Sequence, residues 1–242
     1  MEHIVTSHIM NHADKHNILY KMQHGFIKKL SCQTQLVEFI EYVTLNLDSG
    51  QQTDCLIMDF SKAFDKVSHI LLIHKIDQYG IKGRTNGWIK GFLSDRTQRV
   101  VLEGEKSDII KVESGVPQGS VLGSSLFLFY INAMPVNITS TVRLFADDTI
   151  AYLTVSSDNN TLQEDLNKLA KWEEKWMMQF HPDKCVVLPI TKKKDPLELN
   201  YHLHRHNLEH VSSAKYIGVT ITSDLKWSAH IQSICQKANR TI

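Results

Sequence analysis

Cysteine is sparse and dispersed. Cys32, Cys55, Cys185 and Cys235 include no close pair, which removes the usual spacing of zinc clamps and thiol redox centres and predicts a reduced, intracellular protein, in cytoplasm or nucleus. Glycine and proline are also few, 11 and 5 in 242 residues, which excludes collagen-like and low-complexity chains. Long apolar runs are missing. The most apolar window, 121–136, is broken by Gly123, Ser124, Ser125, Asn132 and Pro135 and falls short of the ~20 residues that a spanning helix needs. The first eight residues carry neither a basic leader nor an apolar stretch, so neither export nor a membrane partner is expected. Excess charge of one sign is lacking too: 27 Lys and Arg stand against 26 Asp and Glu, so a nucleic-acid partner cannot be read from the total and would have to be met by local patches. What is present is the composition of an ordinary globular protein, long enough for one large domain or two small ones.

Hydrophobic periodicity lays out the elements. Residues 4–19 place Ile4, Ile9 and Ala13 at helical spacing, with His8, His12 and His16 four apart; these histidines could share a metal or form a polar face. A second helix is predicted over 34–47, striped by Leu36, Val37, Ile40, Val43 and Leu47, with Ser31 or Thr34 near its start. The period then changes, and Cys55-Leu56-Ile57-Met58 reads as a short buried strand emptying onto Asp59. Helices are expected over 70–79 and 84–93, paired strands over 97–102 and 107–113 around Gly104, and a helix over 121–131 stopped before Pro135. Two apolar strands, 142–145 and 149–153, flank Ala146-Asp147-Asp148, a hairpin turn made of acids. A long helix over 161–178 carries Leu162, Leu166, Leu169, Trp172 and Trp176 on one face. Strands follow over 185–190, 199–204 and 216–221, then a last helix near Ser228. His202, His204 and His206 would alternate along one of those strands and share a face. The mixed order of helices and antiparallel pairs predicts an α+β fold.

Two features ask for chemistry. Between residues 70 and 101, Lys75, Lys82, Arg84, Lys90, Arg96 and Arg99 face only Asp77 and Asp95, beside Trp88 and Phe92; such a stretch fits a nucleic-acid surface or a solvated face. Asp59 ends a buried strand, and Asp147 and Asp148 sit at the tip of an apolar hairpin. If these strands are neighbours, three carboxylates crowd one place. Each pair near 4 Å would repel by about 4 kcal/mol at an effective dielectric of 20, tolerable only with cations or raised pKa values. Divalent metal is one solution, and hard oxygen ligands favour magnesium. The alternative is that Asp59 caps a turn and the pair of acids makes a polar hairpin.

Three segments in order, Asp59-Phe60-Ser61-Lys62-Ala63-Phe64-Asp65, Ser114-Gly115-Val116-Pro117-Gln118-Gly119-Ser120-Val121-Leu122-Gly123 and Phe145-Ala146-Asp147-Asp148-Thr149, resemble the successive palm motifs of reverse transcriptases. The match is closest to those of non-long-terminal-repeat, LINE-type retrotransposons. Further matches run from His24-Gly25-Phe26 and Ser31-Cys32 through Phe92-Leu93-Ser94-Asp95-Arg96-Thr97-Gln98 to Trp172, Trp176, Lys184-Cys185 and Lys215-Tyr216-Ile217-Gly218-Val219, so nearly all of the chain is covered.

The resemblance implies a right-hand polymerase palm, an antiparallel sheet flanked by helices, with partial fingers over 1–50, palm over 51–80, a fingers and palm segment over 81–113, palm over 114–225 and the start of a thumb over 226–242. It implies an RNA-directed DNA polymerase that extends a DNA primer on an RNA template with deoxynucleoside triphosphates and two Mg2+ ions, or Mn2+. Asp59, Asp147 and Asp148 would hold the metal with the Phe60 carbonyl, and Lys184 would protonate pyrophosphate. Phe64, Gln118 and Gly119 would meet the nucleotide, the Phe64 ring excluding a 2′-hydroxyl unless it is simply a core residue. Pro117, Arg96, Arg99, Lys215, Tyr216 and Gly218 would contact template or primer. The pattern departs at Ile27 and Leu30, where the family usually has arginine, and the chain is expected to be truncated at both ends. A second reading is therefore a retroelement remnant that keeps the palm without catalysis. Oligomeric state has no signature in the sequence.

Overall fold

The computed structural model describes residues 1–156 and 160–240. Along the chain come α1 (Glu2–Lys15), α2 (Cys32–Asp48), β1 (Gln52–Met58), α3 (His69–Gln78), α4 (Gly83–Leu93), and four two-residue strands, β2 (Thr97–Gln98), β3 (Val101–Leu102), β4 (Glu105–Lys106) and β5 (Ile110–Lys111). There follow α5 (Val121–Ile131), β6 (Thr141–Phe145), β7 (Asp148–Val155), α6 (Thr161–Trp176), a 3-10 turn (Pro182–Lys184), β8 (Val186–Ile190), β9 (His202–Leu203), β10 (His206–Asn207), β11 (Glu209–His210), β12 (Ser213–Tyr216), β13 (Val219–Thr222) and α7 (Ser228–Asn239). The chain divides into two compact units. A helical unit comprises Met1–Tyr20, Lys62–Met134 and Glu174–Met178, and a sheet unit comprises Lys21–Ser61, Pro135–Glu173 and Gln179–Ile242.

The sheet unit is built on five strands in the order β11-β8-β1-β7-β6, antiparallel except for the β11–β8 pair. All seven residues of β1 are buried, as the middle strand of a covered sheet requires. The helix α2 begins with a capping box between Ser31 and Thr34 and lays Phe39, Val43 and Leu47 against Cys55, Ile57, Ile150, Tyr152, Leu188 and Ile190. Phe39 of this helix packs edge-to-face on Tyr152 at 5.2 Å and on Tyr216 at 5.8 Å, a favoured geometry for ring quadrupoles. In the helical unit α5 is apolar around its whole circumference and nine of its residues are buried. Such a helix has no face to give to water, and α1 and α3 pack on it.

The long periodic helices and the buried strands follow the sequence expectation within a few residues, and three strand assignments do not. The segment 97–113 folds as two nested pairs, β2 with β5 and β3 with β4. The strand expected over 199–204 shrinks to β9, because the chain reverses at His204 (φ 56°) into β10. The single strand that periodicity suggested over 216–221 is instead a hairpin, as the resemblance implied for 215–218: β12 pairs with β13, and the two-residue loop Ile217-Gly218 has positive φ at both positions (45° and 81°), the backbone that a tight hairpin with right-handed strand twist demands. His202, His204 and His206 accordingly turn to separate partners, Gln163, Glu173 and Asp183, and do not share a face.

Candidate active site

The register of β1 against β7 sets Met58 opposite Thr149. Asp59 follows the first and Asp148 precedes the second, so residues far apart in sequence leave adjacent strand ends. Phe145 pairs with Asp148, so Asp148 is the first residue of β7 and the hairpin loop is Ala146-Asp147 alone, one residue shorter than the acidic turn expected. The acids feel one another. Burial, and then the Asp59 charge, raise the Asp147 carboxyl above the usual carboxylate range. Burial, Asp147 and Asp59 raise Asp148 against the opposing Lys215 ammonium. Lys184, at the end of the 3-10 turn, donates to Asp59 Oδ2 at 2.8 Å, and this half-exposed pair raises the lysine.

Around these groups the backbone is fixed. Phe60 forms an antiparallel bridge with Phe180, in which Ser61 N donates to Gln179 O and His181 N to Asp59 O, each at 2.8 Å. The Phe60 ring is buried and stacks on Phe180 at 4.2 Å. On the β12–β13 hairpin Lys215 and Gly218 are exposed. Tyr216 is 1 % exposed, and its hydroxyl accepts from Gln35 Nε2 at 3.0 Å. The Tyr216 side chain is therefore part of the core and is unavailable to a nucleic acid, a correction to the sequence expectation: alternation along β12 points it inward where Lys215 points out.

Among the described residues no group of three or more His, Cys, Asp and Glu side chains gathers tightly enough to hold a metal ion. That removes both histidine readings, over His8, His12 and His16 and over His202, His204 and His206. At the acids it leaves two-carboxylate ligation, with water and substrate phosphate completing the shell, which is the way magnesium is commonly held. Carboxylates presented at the ends of adjacent strands are a hard-oxygen donor set that fits such an ion.

The remaining sequence-predicted residues lie in the helical unit. The Phe64 ring is half-buried and stacks on Phe127 at 4.3 Å. The segment 114–118 lies against 64–67: Val116 N donates to Phe64 O at 2.9 Å, Ser114 Oγ to Asp65 O at 2.8 Å, and Gln118 Nε2 to Asp65 Oδ1 at 3.1 Å. Gly123 lets the start of α5 approach this loop, since a Cβ there would meet Pro117 O at 2.3 Å. An open cleft of 640 Å³ is lined by Lys62, Asp65, Arg96, Gln98, Lys111 and Gln118 among others, and by Pro117. Arg96 also covers the Phe92 ring at 5.9 Å; Arg99 and Gly119 are exposed. Sequence reasoning missed Gln23, whose side chain bonds to Ala146 in the acidic turn. A lone glutamine outside any periodic segment carried no signal, although it stands two residues before Gly25.

The chain is 29% identical over 256 residues to the RNA-directed DNA polymerase from mobile element jockey of Drosophila melanogaster, a match covering 100% of this chain and 27% of that protein. It is 27% identical over 249 residues to the probable RNA-directed DNA polymerase from transposon BS of the same organism, covering 98% of this chain and 27% of the relative. The chain thus spans about a quarter of the length of these LINE-type relatives. Among solved structures, the apo telomerase from Candida tropicalis superposes with a TM-score of 0.65 at 12% identity over 95% of this chain and 41% of that one, a likeness of fold that includes the polymerase palm. Residues 1–221 match the family described as reverse transcriptase (RNA-dependent DNA polymerase), and the chain belongs to that family.

Proposed function

We propose that this chain is the polymerase domain of a non-long-terminal-repeat retroelement protein and extends a DNA primer on an RNA template with deoxynucleoside triphosphates. The observation that carries the reading is the β1–β7 register, which delivers Asp59 beside the Asp147–Asp148 turn. Asp59 and Asp147 would hold magnesium, with the Phe60 carbonyl as a further oxygen ligand and Asp148 completing the acidic environment. Bound there, the divalent ions supply the charge that activates the primer hydroxyl and neutralises phosphate oxygens. The primer 3′-hydroxyl gives up its proton to solvent, and its oxygen bonds to the α-phosphorus as the bond to pyrophosphate breaks. Lys184 carries a proton for that leaving group once substrate draws it from Asp59.

In the helical unit Phe64 acts as the sugar gate and Gln118 and Gly119 flank the new base pair. Arg96 and Arg99 hold template phosphates with an affinity that falls as salt rises. Exposed Lys215 and Gly218 support the primer end on the β12–β13 hairpin. In domain terms the five-stranded sheet is the palm, α7 opens the thumb, and the segments over 1–50 and 81–113 contribute to the fingers. The second reading, a remnant without catalysis, is favoured by Ile27 and Leu30, which replace the arginines that the family usually carries.

Extension of an annealed DNA primer on RNA with magnesium or manganese separates the two. Asp147→Asn is expected to lower the rate by at least ~10³-fold, about 4 kcal/mol of barrier, with template binding retained. Equal rates would refute the catalytic assignment. Absence of extension by either chain would support the remnant, and activity gained by Ile27→Arg with Leu30→Arg would locate the defect in the fingers.

A further inference from the structure

The turn that presents Asp147 begins with a strained residue. Ala146 has φ 55°, a left-handed backbone that side chains with a Cβ rarely adopt outside enforced positions. The enforcement comes from residues 22–25, which lie beside β6 as a short extra strand. Gln23 bridges Leu144 in parallel register; His24 N donates to Leu144 O at 2.9 Å, and Leu144 N donates to Met22 O at 3.0 Å. From this segment the Gln23 side chain, only 3 % exposed, reaches the turn. Its Oε1 accepts from Ala146 N at 3.0 Å and from Gly25 N at 2.8 Å, and its Nε2 lies 3.5 Å from Ala146 O. Gly25 completes the fit, because a Cβ there would stand 2.2 Å from Ala146 N.

We propose that Gln23 is a positioning residue for Asp147: its amide holds both polar groups of the Ala146 backbone and so sets the direction in which the next side chain leaves the hairpin. One carbonyl oxygen serves two buried N–H groups, so the segment and the turn are locked through a single side chain. Among the described residues, Gln23 Oε1 is the side-chain acceptor that the Ala146 N–H meets. The effect on catalysis rests on the polymerase reading above, whereas the effect on the turn rests on hydrogen-bond geometry alone.

The test compares Gln23→Met, which keeps the length and removes both polar atoms, with Leu169→Ala, a truncation of a buried residue in α6, outside both the turn and the 22–25 segment. Hydrogen exchange of the Ala146 amide, followed by NMR on the full chain, is expected to quicken at least ~10-fold in Gln23→Met and to stay unchanged in Leu169→Ala. In primer extension kcat is expected to drop ~30-fold for Gln23→Met, the scale of a misplaced reacting group, with KM for the nucleotide and Kd for primer–template within about threefold. Leu169→Ala keeps its kcat. Unchanged Ala146 exchange, or a kcat within threefold of the parent, overturns the proposal. If the parent chain extends no primer, the polymerase reading fails, and faster or unchanged Ala146 exchange still decides for or against Gln23. If Gln23→Met does not fold, the parent chain decides: an Ala146 amide at least ~10-fold slower than that of Asp147 supports the clasp, and equal rates refute it.

Discussion

Lys75 shows how a single side chain can couple this fold to pH. It is 2 % exposed, its ammonium donates to the Tyr130 carbonyl in the last turn of α5, and it lies 3.7 Å above the Trp176 ring. A helix C-terminus and an aromatic face both favour a cation. Burial first, and then the Lys175 charge, nevertheless lower its pKa from 10.5 to about 7. Between those values the unfolded chain binds a proton that the folded chain does not. Stability from this group is therefore full above pH 10.5 and is lost as pH falls toward 7, with a slope of at most about 1.4 kcal/mol per pH unit. Relative to the parent, Lys75→Met is expected to gain about 2 kcal/mol between pH 9 and pH 7 in urea unfolding; an equal difference at both pH values would contradict this. The residues differ in how visible they were. Asp59, Asp147 and Asp148 were legible because apolar strands end on them. Gln23, Lys75 and the buried Asp54, whose carboxylate accepts from Tyr201 Oη at 2.9 Å, were not, since a polar side chain satisfied by distant partners leaves no local pattern.

Elements repeat the lesson at longer range. Helices with a stripe, and α5 with none, were read nearly to their ends because the 3.6-residue period spans many residues. Periodicity did not show the hairpins after β8, because strands of two to four residues have too few positions to show alternation, and neither His204 nor Ile217 is a residue type that announces positive-φ backbone. Glycines inside helices give a test of which force prevails. Gly87 and Gly91 in α4 are exposed, and a Cβ at either meets nothing within 4 Å, so alanine there is expected to stabilise by about 0.5–1 kcal/mol each. Gly123 in α5 has the same propensity argument in its favour and a backbone oxygen at 2.3 Å against it. Overpacking against backbone outweighs propensity, and Gly123→Ala is expected to destabilise by about 1–3 kcal/mol. Thermal unfolding of the three variants reads the sign directly; a stabilised Gly123→Ala would show that the Pro117 loop yields freely.

Across the whole molecule, the sheet unit carries the acids and the β12–β13 hairpin, and the helical unit carries Phe64, the Gln118 loop and the arginine cleft. Order of motifs along the chain was enough to name the family, because the same palm topology is retained at 12% identity. Which strands meet was visible only in the pairing, since β1 reaches β7 across three helices, four two-residue strands and β6. The central claim is that this pairing makes Asp59 and Asp147 one functional unit. A double-mutant cycle in kcat for primer extension, using Asp59→Asn, Asp147→Asn and the pair together, measures that directly. Groups that act as a unit are strongly non-additive. Each single change is expected to remove nearly all the rate, and the double change to lose no more than about tenfold beyond either. Losses that multiply across the two sites would mean that the acids work independently and would contradict the account.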